Sequence, residues 1–162
     1  ACNFAVHNFN SSYKRHLDLN ILIENSVGQK NSIGSKFGEI KDILDELNDK
    51  KFGVCFDTCH AFASGYDLRS SKKVIETIKN FNDTINIKNL KVLHLNDSKG
   101  NINEKKDRHQ HIGLGLIGKE GMAEFLKDKY FLIDHMKLQQ KKRGRGHMNK
   151  VNASAHWEAP AV

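Results

Sequence analysis

Three short apolar runs stand out from an otherwise polar chain: Ile21-Leu22-Ile23, Phe52 to Phe56, and Leu90 to Leu95. Each has the length of a buried strand and falls short of a helix. Between them, apolar positions recur at helical spacing. Phe37, Ile40, Leu44 and Leu47 share one face of the segment from Ser35 to Asn48, with Glu39, Lys41 and Asp42 off it. Val74, Ile75, Ile78 and Phe81 mark a second amphipathic helix beginning after Ser70-Ser71. Met122, Phe125 and Leu126 fit a third, ending near Tyr130. The order strand, helix, strand, helix, strand, loop, helix predicts an α/β fold with parallel strands.

Each apolar run leads to a side chain able to bind a metal. Glu24 follows Ile23 directly, and a carboxylate there would be costly to bury, so it is read at the strand exit. The second run ends in Asp57, with His60 three residues on. A straight strand would send that pair to opposite faces, whereas a tight turn or first helical turn aims both at one point. Zn²⁺ accepts such a pair. The plainer reading has Asp57 capping the next helix and His60 on the surface. His94 lies in the third run, ahead of Asn96-Asp97-Ser98-Lys99. Parallel α/β folds collect functional groups at the carboxyl ends of their strands, where Glu24, Asp57, His60 and His94 would meet.

A polar loop from Gly100 to Arg108 delivers Asp107-Arg108-His109, whose Asp and His, two apart, can face one centre if the segment is extended. Alone, this loop would read as a hydrated charged stretch with Lys105, Lys106 and Arg108. Carboxylates and imidazoles in near-equal number suit Zn²⁺ or Mn²⁺ in a multinuclear hydrolytic site, and phosphoester chemistry is its natural use. Phe4-Ala5-Val6-His7 reads as a strand end, with His7 and His16 taken as solvent-exposed.

Composition narrows the picture. At 162 residues the chain has length for one core, with a low hydrophobic share of 38% and an ordinary charged share of 28%. The net charge of +7 is uneven: residues 1–135 hold 20 basic and 18 acidic side chains, residues 136–162 six and one. The basic character therefore belongs mainly to the tail, not to a DNA-binding face on the body. Cys2, Cys55 and Cys59 form no disulfide framework and point to a reducing, intracellular compartment, with Cys55 and Cys59 read as small buried hydrophobes. No apolar run approaches membrane-spanning length, and Ala1 to Asn10 lacks a signal-peptide core. Starting at Ala, the chain reads as a processed product or a piece of something longer.

Gly53-Val54-Cys55-Phe56-Asp57-Thr58-Cys59-His60 resembles a signature of the endonuclease IV family of apurinic/apyrimidinic (AP) endonucleases. Leu93-His94-Leu95-Asn96-Asp97-Ser98-Lys99, followed by Asn103 and Lys106-Asp107-Arg108-His109, matches at the family's spacing, and Ile23-Glu24-Asn25-Ser26 with Gly28-Gln29 resembles a third segment. Together they cover about residues 20–131. The resemblance implies a TIM barrel with three zinc ions at its carboxyl-end face. It casts Glu24 as the carboxylate bridging the first two zincs and the catalytic residue, Asp57 and His94 as ligands of the second, and His60, Asp107 and His109 as ligands of the third. His111 is not among the ligands. The implied partner is double-stranded DNA with abasic sites, without any membrane. A metal-activated water attacks the phosphate 5′ to the abasic deoxyribose and leaves a 3′-hydroxyl and a 5′-deoxyribose phosphate.

The departures are equally specific. A complete barrel of eight βα units takes ~250 residues, so the match is to a partial TIM (β/α)8 barrel, around its fifth to seventh strands. Two histidine ligands of the first zinc lack counterparts, His7 being the one candidate, and the family's last glutamate ligand is absent. The chain thus divides into an unassigned segment 1–19, a partial barrel 20–131 and a basic, disordered tail 132–162 containing Lys141-Lys142-Arg143-Gly144-Arg145. The pattern is that of a truncated member. Two rivals remain: a catalytically impaired fragment that binds one metal and nucleic acid nonspecifically, and a sugar isomerase-like enzyme, against which the Asp107-Arg108-His109 match counts.

Overall fold

The computed structural model describes residues 20–127 and the backbone of 137–139. The segment 1–19 with His7 and His16 and most of the basic tail lie outside the described residues, whereas the third helix ends at Glu124, short of the end near Tyr130 that the sequence predicts. The elements are β1 (Ile21–Glu24), α1 (Phe37–Leu47), β2 (Phe52–Asp57), α2 (Thr58–Ser64), α3 (Ser71–Ile85), β3 (Leu90–His94), β4 (Asp97–Ser98), β5 (His109–Gln110), α4 (Gly118–Glu124) and β6 (Lys137–Gln139). The main sheet has the order β1-β2-β3-β6, and each neighbouring pair is parallel. Successive strands lie side by side, as staves of a barrel do, rather than running outward from a central switch point. Its fourth strand, β6, falls inside the segment the sequence assigns to the tail.

Register decides which side chains share a face, because aligned residues on neighbouring strands point the same way. Ile23 pairs with Val54, and Phe56 with Leu93. These belong to the core between sheet and helices. Phe37 of α1 stacks on Tyr66 at 4.1 Å between ring centres and meets Phe81 of α3 edge-on at 5.3 Å. Phe81 is also edge-on to Phe56 at 5.8 Å, and Phe125, just past α4, lies 6.2 Å from Phe56. Such tilted and offset pairs are favoured by the ring quadrupoles. The apolar stripes of α1 and α3 therefore converge on the core around Phe56 through Phe37, Ile40, Val74 and Phe81, whereas Ile75, read as part of the second stripe, is exposed.

The opposite face of the sheet carries a different register row. Glu24 aligns with Cys55, Cys55 with Val92, and Asp57 with His94. Strand β2 is buried along its whole length, so its alternation puts Val54 and Phe56 against the helices and Cys55 and Asp57 on the other side. Helix α4 lies hard against the loop after α2. A Cβ at Gly121 would overlap the Leu68 carbonyl, so this position needs glycine.

Candidate metal centre

The end of β2 turns directly into α2. Asp57 Oδ1 accepts the backbone N–H of His60 at 3.0 Å, which caps the helix and sets His60 one turn beyond the strand. The capping and metal readings of Asp57 are therefore not alternatives. One oxygen caps, and Oδ2 remains for the site. His94 closes β3. His109 arrives by the antiparallel pair β4–β5, in which Ser98 aligns with His109 and Lys99 N donates to the Arg108 carbonyl at 2.8 Å. What the sequence presents as a loop is closed by this short ladder, and it returns Asp107 and His109 to the sheet.

All six predicted residues meet, and they form a closed ring in which carboxylate and imidazole alternate. Glu24 Oε1 lies 3.1 Å from His94 Nδ1, and His94 Nδ1 lies 3.8 Å from Asp57 Oδ2. Asp57 Oδ2 is 3.4 Å from His109 Nε2, and His109 Nδ1 is 3.2 Å from Asp107 Oδ1. Asp107 Oδ1 is 3.4 Å from His60 Nε2, and His60 Nδ1 returns to Glu24 Oε1 at 3.5 Å. Donors bound to one tetrahedral ion at about 2.0–2.2 Å lie about 3.3–3.6 Å apart, so the spacings around the ring suit shared metal coordination except that of His60 Nδ1, which the Asn25 carbonyl occupies. Among the described residues, three groups hold their donor atoms within 4.8 Å of one another: Asp57, His60 and His109; Glu24, Cys55 and His94; and Cys59, Asp107 and His109.

His60 provides an independent check on fit. Its Nδ1 lies 2.9 Å from the Asn25 carbonyl, which can only accept, so Nδ1 carries the proton. The lone pair then sits on Nε2, which is buried and makes no hydrogen bond. An imidazole held by a carbonyl on one nitrogen, with the other bare beside carboxylates, is the arrangement of a metal-ligating histidine.

Electrostatics couple the ring members. The Cys55 side chain first, and the Glu24 carboxylate second, push His94 up to about 10 against a burial effect that lowers it. Burial raises Asp57, but the hydrogen bond from His109 and the nearby His60 and His109 outweigh it and hold the carboxyl below its ordinary value. Burial pushes the Cys59 thiol up to about 12 and raises Cys55 as well. His111 is exposed and stands apart from the ring.

The sequence reading missed the residues that hold Asp57. Asn25 Oδ1 accepts the Asp57 N–H at 2.6 Å, and Asn25 Nδ2 donates to the Asp57 carbonyl at 3.0 Å. Asn96 Nδ2 donates to Asp57 Oδ2 at 2.7 Å, while Thr58 Oγ1 bonds the backbone of Asn96 on both sides. The available signal is positional: an asparagine follows the β1 ligand by one residue and the β3 ligand by two. Cys55 and Cys59 are buried as expected, but each also sits within the three-donor groups, one beside Glu24 and His94 and the other beside Asp107 and His109.

Residues 5–137 match the xylose isomerase-like TIM barrel family. A protein of Nitrosopumilus maritimus named "Probable endonuclease 4" is 52% identical over 111 residues, covering 68% of this chain and 40% of that protein. "Apurinic-apyrimidinic endonuclease 1" of Plasmodium berghei is 45% identical over 123 residues, covering 75% of this chain and 24% of the relative. The crystal structure of endonuclease IV from Thermus thermophilus superposes with a TM-score of 0.72 at 28% identity, covering 89% of this chain and 51% of that one. The chain therefore spans about half or less of each protein it resembles.

Proposed function

The chain belongs to the xylose isomerase-like TIM barrel family, in its endonuclease IV group, and on that premise we propose that it serves zinc-dependent AP endonuclease chemistry in base-excision DNA repair. The reaction is hydrolysis of the phosphodiester 5′ to an abasic site in double-stranded DNA, leaving a 3′-hydroxyl and a 5′-deoxyribose phosphate. The observation that carries this reading is the closed ring of alternating carboxylates and imidazoles at the ends of three parallel strands and one hairpin. Nitrogen and oxygen donors of this kind suit Zn²⁺.

Glu24, Asp57 and His94 would hold one side of the centre, and His60, Asp107 and His109 the other. Zinc, when bound, supplies a Lewis acid for the phosphoryl oxygens and lowers the pKa of water. The protein's own residues supply orientation. Asn25 fixes the Asp57 backbone and Asn96 its carboxylate, and the Asn25 carbonyl fixes the His60 tautomer. Glu24, at the exposed rim of the ring and 3.1 Å from His94 Nδ1, would be the carboxylate that bridges the first two zincs.

Elemental analysis of the purified chain, together with a duplex bearing one abasic site, tests this reading. Bound zinc with incision at the lesion, abolished by His109→Ala, is the expected result. No zinc and no incision would overturn it. The partial coverage of the relatives favours one second reading, a metal-binding fragment that holds DNA nonspecifically through its basic residues. Steep salt dependence of DNA binding, lost when Lys141, Lys142, Arg143 and Arg145 become serine, with no preference for the abasic duplex, would select that reading.

A further inference from the structure

Gly113-Leu114-Gly115-Leu116-Ile117-Gly118 has the G-x-G-x-x-G spacing with which loops entering helices cradle phosphate, and it opens α4. Its amides are already occupied. Asp97 is fully buried, and its Oδ2 accepts Gly113 N and Gly115 N at 3.0 Å each. Its Oδ1 accepts Ile117 N at 2.9 Å and Ser98 N at 2.8 Å. Gly118 N is shared between the two oxygens at 3.4 and 3.3 Å. Five N–H groups thus surround one carboxylate, and among the described residues it forms no ion pair. The anion site of this motif is filled by the protein itself, which excludes a bound nucleotide phosphate there. Gly115 must be glycine, since a Cβ would overlap Asp97 Oδ1 and the Ser98 carbonyl.

Asp97 also lies in β4, the two-residue strand paired with the one that carries His109. Asp97 aligns with Gln110 and Ser98 with His109, and Leu116 N donates to the Ser98 carbonyl at 2.7 Å. The carboxylate therefore ties β4, the start of α4 and the intervening turn into one frame, with His109 held on its edge. We propose that Asp97 is a positioning residue of the metal centre: an internal anion that fills the glycine-rich nest and so fixes where His109 presents its ring. It acts through the β4–β5 ladder. The inference rests on reading His109 as a metal ligand.

Chemical rescue separates a charge-filled nest from a merely structural side chain. Asp97→Ala leaves five amides facing an empty space of carboxylate size. Zinc affinity, read by competition with a chromogenic chelator, should fall about 10- to 100-fold, the usual effect of losing an outer-shell partner. Added formate should restore it in Asp97→Ala. It should not do so in wild type or in Asp97→Asn, whose amide fills the space without the charge.

An Asp97→Ala protein that keeps wild-type affinity overturns the proposal, as does a folded one whose loss formate does not reverse. If Asp97→Ala does not fold, the isosteric Asp97→Asn decides: a lowered zinc affinity with native circular dichroism supports the proposal, and an unchanged affinity overturns it. Wild type and His109→Ala binding zinc equally would sink the ligand reading, and this inference with it. Loss in His109→Ala with none in the Asp97 variants would sink this inference alone.

Discussion

His60 donates from Nδ1 to the Asn25 carbonyl at 2.9 Å, and that single bond decides which nitrogen faces the ring. The bare Nε2 is buried without a hydrogen bond, a cost of about 1–3 kcal/mol in the metal-free protein. Replacing the ring should therefore weigh unequally on the two states. In His60→Ala, the zinc-loaded protein should lose more melting temperature than the metal-free protein, in which the lost Asn25 bond is offset by removal of the unsatisfied Nε2. Thermal melts with and without chelator read both. A fall in both states by the same amount would mean that His60 serves packing alone.

Asn96 reaches Asp57 Oδ2 at 2.7 Å, the same oxygen that faces His109 and His94. Asn96→Ala removes the donor that orients this oxygen and leaves every ring residue in place. Calorimetric titration should show zinc binding weakened about 10- to 100-fold. An unchanged affinity would show that Asn25 and the helix cap suffice to aim the carboxylate.

His94 sets the pH dependence of the metal-free protein. Its value in the folded state, about 10, lies above the ordinary 6.5. The stabilisation it contributes is therefore complete below 6.5 and disappears as pH rises through 10. Asp57 is shifted the other way, so its contribution is present above its ordinary 3.8 and is lost on acidification. Urea midpoints of chelated wild type and His94→Gln should differ most in mildly acidic solution and converge at strongly alkaline pH. Zinc must also displace the His94 proton, so its apparent affinity should climb over the same range. Midpoints that differ equally at every pH would remove the ion-pair account.

The parts legible in the sequence are those with a period or a terminus. The first three strands read because Ile21 to Ile23, Phe52 to Phe56 and Leu90 to Leu95 are short, mainly apolar stretches, the last broken by Lys91 and His94, and α1 and α3 because each has one apolar face. Five of the six ring residues read because they stand at strand ends or in a two-residue spacing, and His60 because it follows Asp57 by three. Helix α2 did not, since six of its seven residues are buried and no polar face marks its turn. The β4–β5 pair is two residues long on each strand, too short for alternation to show. Asn25 and Asn96 were invisible as supports because their partner is backbone or carboxylate from another strand, a relationship that only the parallel register creates.

The same register predicts that stability and metal binding can be separated. Phe81 packs edge-on to Phe37 and Phe56 between the sheet and its helices, whereas Asp57 and His94 share the other face. Phe81 is almost fully buried, so Phe81→Ala should cost about 3–5 kcal/mol through lost burial and an unfilled cavity. It removes nothing that touches the ring. Combined with His60→Ala, its effect on the metal-free protein should add within about 0.5 kcal/mol, as expected for residues with no shared partner. Zinc affinity of the folded Phe81→Ala protein should match wild type. A coupling well beyond that limit, or a parallel loss of zinc affinity, would show that Phe56 transmits the packing of the helix face to Asp57, the next residue along β2.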